Sequence, residues 1–238
     1  MQNINIQKIK KMDYYGREAY KTLRTNIQFL GKDVKVVAFT SCTPNEGKSS
    51  VTFNLALSMA EAGKKVLFVD ADLRKSVLIG RYKISKGAKG LSHFLSGNAN
   101  LDDVLANTNV KNLDMILSGP VPPNPSELLG SRVFSDFVNA ARSVYEYIFI
   151  DTPPIGSVID GAVVAHVCDG VCMVVETGWN SYRYAQKVKE QIEMADCKFL
   201  GVILNKVKRN DKGYYGKYYG KYYGKYYGKY YGNPEDAS

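Results

Sequence analysis

Residues 41–50 read Ser-Cys-Thr-Pro-Asn-Glu-Gly-Lys-Ser-Ser, an order that presents a glycine, a lysine and a hydroxyl in succession to a phosphate group. The apolar run Val34 to Phe39 precedes it and residues 51–62 follow, so a buried strand, a tight loop and a helix are expected. At such a junction free backbone N–H groups and the helix dipole together favour an anion. Gly47 lets the main chain come close, Lys48 bridges β- and γ-phosphates, and Ser49 offers its hydroxyl to a magnesium ion. The general pattern asks for glycine at position 42, where this chain has Cys42. Asn45 lies mid-loop and tolerates left-handed backbone angles. A strand, turn and helix with a chance Gly-Lys-Ser is the plainer alternative.

Two acidic stretches favour the chemical reading. The run Val66-Leu67-Phe68-Val69 ends in Asp70-Ala71-Asp72-Leu73-Arg74, and Tyr147-Ile148-Phe149-Ile150 ends in Asp151-Thr152-Pro153-Pro154. Carboxylates at the carboxyl ends of parallel strands lie on the ligand edge of an α/β sheet. If the chain stays extended, Asp70 and Asp72 face the same side, and two such charges are costly unless a cation or proton lies between them. Asp151, at the tip of its strand before two prolines that turn the chain, suits a second magnesium contact.

The elements that must position these groups follow in chain order. Asp13 caps a helix to about Leu30, with Ala19, Tyr20, Leu23, Ile27 and Leu30 at helical spacing and Arg17, Glu18, Lys21 and Arg24 opposite. Gly63 closes the helix after the loop. Residues 90–107 read as short helices broken at Gly97-Asn98, residues 113–117 as a strand, and residues 120–125 as a proline-rich connector. Ser126 is expected to cap one helix, with another running to about Tyr145. Residues 171–176 and 199–204 read as strands flanking a helix over 182–194. Strands alternating with helices predict a mostly parallel sheet covered on both faces. Asn205, just past the last strand, either meets a base amide or closes the turn.

At 238 residues there is room for one sizeable α/β domain. The expected division is an extension over 1–12, a domain over 13–209 and a tail over 210–238. Residues 1–12 hold no signal-like apolar segment, and nothing approaches 18 consecutive apolar residues. Cys42, Cys168, Cys172 and Cys197 lack paired spacing, so reduced thiols are expected rather than a zinc site, and His93 and His166 read as packing or surface residues. The net charge of +9 is concentrated late: residues 206–229 hold seven lysines, one arginine and one aspartate.

Residues 213–232 form a strict four-residue repeat with tyrosine pairs at Tyr214, Tyr215, Tyr218, Tyr219, Tyr222, Tyr223, Tyr226, Tyr227, Tyr230 and Tyr231. Glycine at every fourth position costs a helix about 1 kcal/mol each, so an exposed, flexible peptide offering phenolic hydroxyls is expected. An adhesive tail and an aromatic-cationic strip for single-stranded nucleic acid are the other readings of its composition.

Taken together, T-S-C-T-P-N-E-G-K-S-S, V-L-F-V-D-A-D-L-R, I-F-I-D-T-P-P, the segment P-P-N-P-S-E-L-L at 122–129 and the tyrosine cluster resemble the bacterial tyrosine kinases of capsular and exopolysaccharide synthesis. That resemblance spans Glu18 to the tail. It implies a P-loop NTPase fold, ATP and Mg2+ as cofactors, and phosphorylation of the protein's own tyrosines. It further implies that nucleotide lies against Asn45, Glu46, Gly47, Lys48, Ser49, Ser50, Arg74 and Asn205. The division of labour puts Ser49, Asp70 and Asp151 around magnesium and gives the tyrosine proton to Asp72. Arg74 belongs to the second motif, where it neutralises phosphate or holds the acids.

Glu18-x-x-Lys21-x-x-Arg24 resembles the family's E-x-x-R-x-x-R oligomerisation motif, with lysine in place of the first arginine. Lysine keeps the charge but cannot make the two-pronged carboxylate pair. The resemblance implies a ring of identical subunits, a transmembrane activator or chain-length regulator, a cognate tyrosine phosphatase, polysaccharide-synthesis enzymes as substrates, and no nucleic acid. It places the chain in the cytoplasm, recruited to the inner membrane face through its activator. The competing resemblance is to partitioning and positioning ATPases of the ParA/MinD type, which bind DNA or membrane. Their phosphate loop carries an early lysine where this chain has Thr43.

Overall fold

The computed structural model describes residues 1–9, 11–84 and 89–207. The tyrosine cluster and the expected boundary between residues 209 and 210 lie outside these. Residues 1–205 form one compact unit; the other, Lys206–Ser238, lies almost wholly outside the described residues.

In chain order the first unit runs β1 (Gln2–Ile4), α1 (Tyr14–Phe29), β2 (Val36–Ser41), α2 (Lys48–Glu61), β3 (Val66–Asp70), α3 (Leu78–Tyr82), α4 (Leu91–Leu95) and α5 (Leu101–Val104). It continues with β4 (Leu105–Thr108), β5 (Leu113–Ile116), α6 (Pro125–Leu129), α7 (Arg132–Ala141), β6 (Tyr147–Asp151), α8 (Asp160–Ala165), β7 (Gly170–Glu176), α9 (Tyr182–Met194) and β8 (Phe199–Asn205). The eight strands form one sheet in the order β1-β4-β5-β3-β6-β2-β7-β8. Every pairing is parallel except β4 with β5.

The central strands are apolar along their length because helices cover both faces, so neither set of alternating side chains meets water. Val37, Phe39, Phe68 and Phe149 pack with Phe53 and Met59 of α2 and Ile27 of α1. Their neighbours Ala38, Val69, Ile148 and Ile150 pack on the other face with Phe134 and Phe137 of α7, Val164 of α8 and Ile192 of α9. Because β2, β3 and β6 are parallel neighbours, Ser41, Asp70 and Asp151 emerge at one edge. Asp70 and Asp151 are register partners, and Asp151 also pairs with Phe39.

The parallel, doubly covered sheet agrees with the expected fold, and four local features differ. Residues 2–4 join the sheet as an edge strand instead of forming only a polar extension. Residues 105–108 are a strand rather than helix, because an antiparallel partner at residues 114–116 is available to them. Asn124, not Ser126, precedes the first turn of α6; Pro125 opens the helix, where its missing N–H costs nothing. Finally, β3 ends at Asp70 and the chain turns at once, so Asp72 is not on an extended continuation. Its Oδ1 accepts the Lys75 N–H at 3.0 Å, while its own N–H donates to Asp70 Oδ1 at 3.3 Å.

Candidate phosphate-binding site

The loop between β2 and α2 has the two left-handed positions a tight phosphate-binding turn requires: Asn45 with φ 69° and Gly47 with φ 91°. At Gly47 a side chain is excluded twice over. Its φ suits glycine, and an added Cβ would lie 2.1 Å from Asn205 Nδ2. Cys42 needs no such freedom, since its φ is not positive and its side chain turns into the core, 3.7 Å from Met173 Sδ. Burial, with the nearby Glu46 charge, pushes its thiol up to about 12.

Glu46 is buried and its carboxylate is directed into the protein. It accepts from the Thr43 N–H at 2.8 Å, Asn180 Nδ2 at 2.6 Å and the Glu176 N–H at 3.2 Å. Asn205 Nδ2 donates to the Glu46 carbonyl at 2.8 Å. Both residues therefore fasten the loop to the ends of β7 and β8. What Glu46 offers a ligand is its main chain, and the Asn205 amide closes the loop.

Lys48, in the first turn of α2, is buried with its Nζ 2.6 Å from Asp151 Oδ1 and 3.2 Å from Ser49 Oγ. The second carboxylate oxygen of Asp151 is buried and has no hydrogen-bond partner. Asp70, also fully buried, accepts a hydrogen bond from Ser76 Oγ. Burial pushes the Asp70 carboxyl up to about 7, reinforced by the Asp151 and Asp72 charges and opposed by Ser76 and Lys48. Asp151 is likewise raised by burial, against the pull of Lys48. Two acids that resist ionisation flank one buried lysine. Such a cluster is short of positive charge, and a bound cation or a retained proton relieves it.

These donors fit magnesium. The unpartnered Asp151 oxygen, the Asp70 carboxylate and the Ser49 hydroxyl are hard oxygen donors beside a helix N-terminus, and magnesium completes such a set with phosphate oxygens and water. No group of three or more His, Cys, Asp or Glu side chains able to hold a metal occurs among the described residues.

Arg74 is committed elsewhere. Its guanidinium forks onto Asp160, Nε to Oδ2 at 2.7 Å and Nη2 to Oδ1 at 2.9 Å, and Ser126 Oγ donates to Asp160 Oδ1 at 2.6 Å. Asp160 is fully buried. Burial opposes its ionisation, yet the hydrogen bonds from Arg74 and Ser126 hold it below the usual carboxylate range. The acid that Arg74 holds by hydrogen bonds is thus Asp160, which lies outside the motif. Asp160 was not anticipated; its signal was a single carboxylate inside the otherwise apolar stretch 158–165. Also unanticipated is Arg81 of α3, whose Nη1 donates to Ser50 Oγ in the first turn of α2.

On α1, Lys21 Nζ pairs with Glu18 Oε1 at 2.7 Å within the helix, and Arg24 Nη1 donates to the Ser58 carbonyl of α2 at 2.8 Å. Two members of the triplet thus face outward and the third braces α1 on the helix that carries Lys48. No helix among the described residues is long and apolar enough to cross a membrane.

The chain is similar in sequence and in fold to several known proteins. Residues 34–198 match the AAA domain family. The chain is similar to the tyrosine-protein kinase CpsD of Streptococcus agalactiae, 46% identical over 217 residues that cover 89% of this chain and 93% of that protein. Its fold is similar to the kinase domain of the Escherichia coli tyrosine kinase ETK, with TM-score 0.78 and 34% identity over 83% of this chain and 78% of that one. The septum site-determining protein MinD of Pyrococcus horikoshii, solved with Mg-ADP, is a more distant likeness, with TM-score 0.63 and 25% identity over 75% and 72% of the two chains.

Proposed function

The chain belongs to the bacterial tyrosine-protein kinases, and from that membership we propose that it transfers the γ-phosphate of ATP to tyrosines 214–231 of a neighbouring copy, in control of capsular or exopolysaccharide synthesis and export. The observation that carries this reading is the juxtaposition of Lys48, Asp70 and Asp151 at one sheet edge, directly under the loop of residues 42–47.

Nucleotide phosphates lie against the main chain of Asn45 to Ser50, with Lys48 released from Asp151 to bridge them. Ser49, Asp70 and Asp151 would hold magnesium, which when bound would screen the charge that develops on the phosphates. Asp72 takes the phenol proton. Phosphoryl transfer depends chiefly on positioning and charge stabilisation, so Lys48 contributes more than the base does. From Asn205 the chain has nine residues to Tyr214 and 26 to Tyr231, at most roughly 30 Å and 90 Å when extended, so most of the cluster can reach another subunit. Glu18, Lys21 and Arg24 belong to the contact that closes a ring. A transmembrane activator recruits the chain to the inner membrane face, and a phosphatase and polysaccharide-synthesis enzymes are its other partners.

The test is to incubate wild type and Lys48→Met with magnesium and ATP, with and without the activator's cytoplasmic fragment, and to map phosphate by mass spectrometry. Phosphotyrosine on several tail positions in wild type alone is the expected result. ATP hydrolysis without phosphotyrosine under either condition would overturn the kinase reading in favour of a positioning ATPase. Transfer between subunits is tested by mixing Lys48→Met with a tail-deleted chain; it is wrong if the intact tail stays unmodified.

A further inference from the structure

Eight tyrosines lie outside the tail cluster, and among them only Tyr14 and Tyr15 are adjacent. They are followed by Gly16 and Arg17, so residues 14–17 read Y-Y-G-R where the tail reads Y-Y-G-K at residues 214–217, 218–221, 222–225 and 226–229. Two phenols, a glycine and a cation recur in the same order at the opposite end of the chain.

The structure puts this copy of the motif on the surface. Asp13 Oδ1 caps α1 by accepting the Gly16 N–H at 2.8 Å, which leaves Tyr14 and Tyr15 in the first turn, 57% and 53% exposed. Tyr82 and Tyr145, by contrast, are buried. Tyr182 is 81% exposed but stands between Ser181 and Arg183, with neither a second tyrosine nor a glycine beside it.

The motif also stands at the chemically relevant edge. Tyr20 Oη accepts from Asn54 Nδ2 at 3.3 Å, and Arg24 Nη1 donates to the Ser58 carbonyl at 2.8 Å. Both contacts join residues 34 apart, so α1 and α2 run parallel in constant register. Carried back to the start of α1, roughly 15 Å from Arg24, the same offset brings Tyr14 level with Lys48. The first turn of α1 and the phosphate-binding end of α2 therefore share one edge of the domain.

We propose that Tyr14 and Tyr15 are a second phosphoacceptor site of this kinase, modified in addition to the tail; the proposal rests on the kinase reading above. The phenolic oxygen bonds to the γ-phosphorus of ATP while the bond from that phosphorus to the β,γ-bridging oxygen breaks. ADP leaves and the phenol proton passes to Asp72. Each phosphate adds about −1.5 to −2 of charge one helical turn before Glu18, whose carboxylate pairs with Lys21. The outward face of α1 that carries the Glu18–Lys21 pair thereby becomes acidic.

The full-length chain, with and without the activator's cytoplasmic fragment, is incubated with magnesium and ATP as wild type, as Lys48→Met, as Tyr14→Phe/Tyr15→Phe, and with all ten tail tyrosines changed to phenylalanine. Peptide mapping follows. Phosphate on Tyr14 or Tyr15 is expected in wild type and in the tail variant, at least tenfold above Tyr182, and in neither of the other two. A phosphorylated tail with residues 14 and 15 unmodified overturns the proposal and leaves the kinase reading intact. So does labelling of Tyr182 to the same extent, which would make exposure rather than the motif the determinant. Phosphotyrosine nowhere in the chain overturns both.

Discussion

Lys48 Nζ lies 2.6 Å from Asp151 Oδ1 in a pair that is almost completely shielded from water. A buried ion pair contributes little net stability, but removing one member leaves the other uncompensated. Lys48→Met is expected to lower stability in the absence of nucleotide by about 3 kcal/mol, and the double variant Lys48→Met/Asp151→Asn to recover most of that loss. Urea unfolding of the three proteins checks it; a double variant no more stable than the single one would show that the pair is not the cause.

Asp70 makes stability depend on pH in an unusual sense. Its folded carboxyl titrates near 7 against 3.8 ordinarily, so between those values the native state holds a proton that the unfolded chain has lost. The stability this contributes is fully present below pH 3.8 and is lost as pH rises through 7. Asp70→Asn, which cannot ionise, is expected to unfold at higher temperature than wild type at pH 8, with the gap closing toward pH 4. Thermal melts without nucleotide or divalent cations measure it, and a gap that does not vary with pH would contradict it. Magnesium binding should strengthen over the same rise, because the ion displaces that proton.

The Arg74 fork on Asp160 ties the turn after β3, which carries Asp72, to α6 and α8. Arg74→Lys preserves charge but not the two parallel hydrogen bonds. The expected outcome is a fall in kcat for tyrosine phosphorylation of about tenfold, or about 1.4 kcal/mol, with the KM for ATP changed by less than twofold. A rise in KM at constant kcat would instead mean that Arg74 binds phosphate.

Phosphorylating the tail reverses its charge. Residues 213–232 carry four lysines, and ten phosphotyrosines would add roughly −15 to −20. Crowded anions within a ring repel, so full phosphorylation is expected to dissociate the oligomer. Sedimentation velocity before and after ATP treatment reads this directly, and an unchanged profile would refute it.

Some of this was legible in the linear order of residues. Strand ends, the left-handed Asn45, the helix capped by Asp13 and the carboxylates at strand tips are local matters, set by backbone preference and hydrophobic periodicity over a few neighbours. The chain order of strands and helices likewise announced a parallel sheet, since parallel neighbours require a crossover between them. Other features depend on which distant segments meet. Gln2–Ile4 became a strand because residues 106–108 offered an unpaired edge. Asp160 became structural because burial drew Arg74 to it across 86 positions. Glu46 turned inward because Asn180, 134 positions away, had an amide to give. Asp70 acquired its high pKa from register with Asp151 and from the helices that exclude water. Desolvation and charge proximity are properties of assembled space, and no window of neighbouring residues contains them.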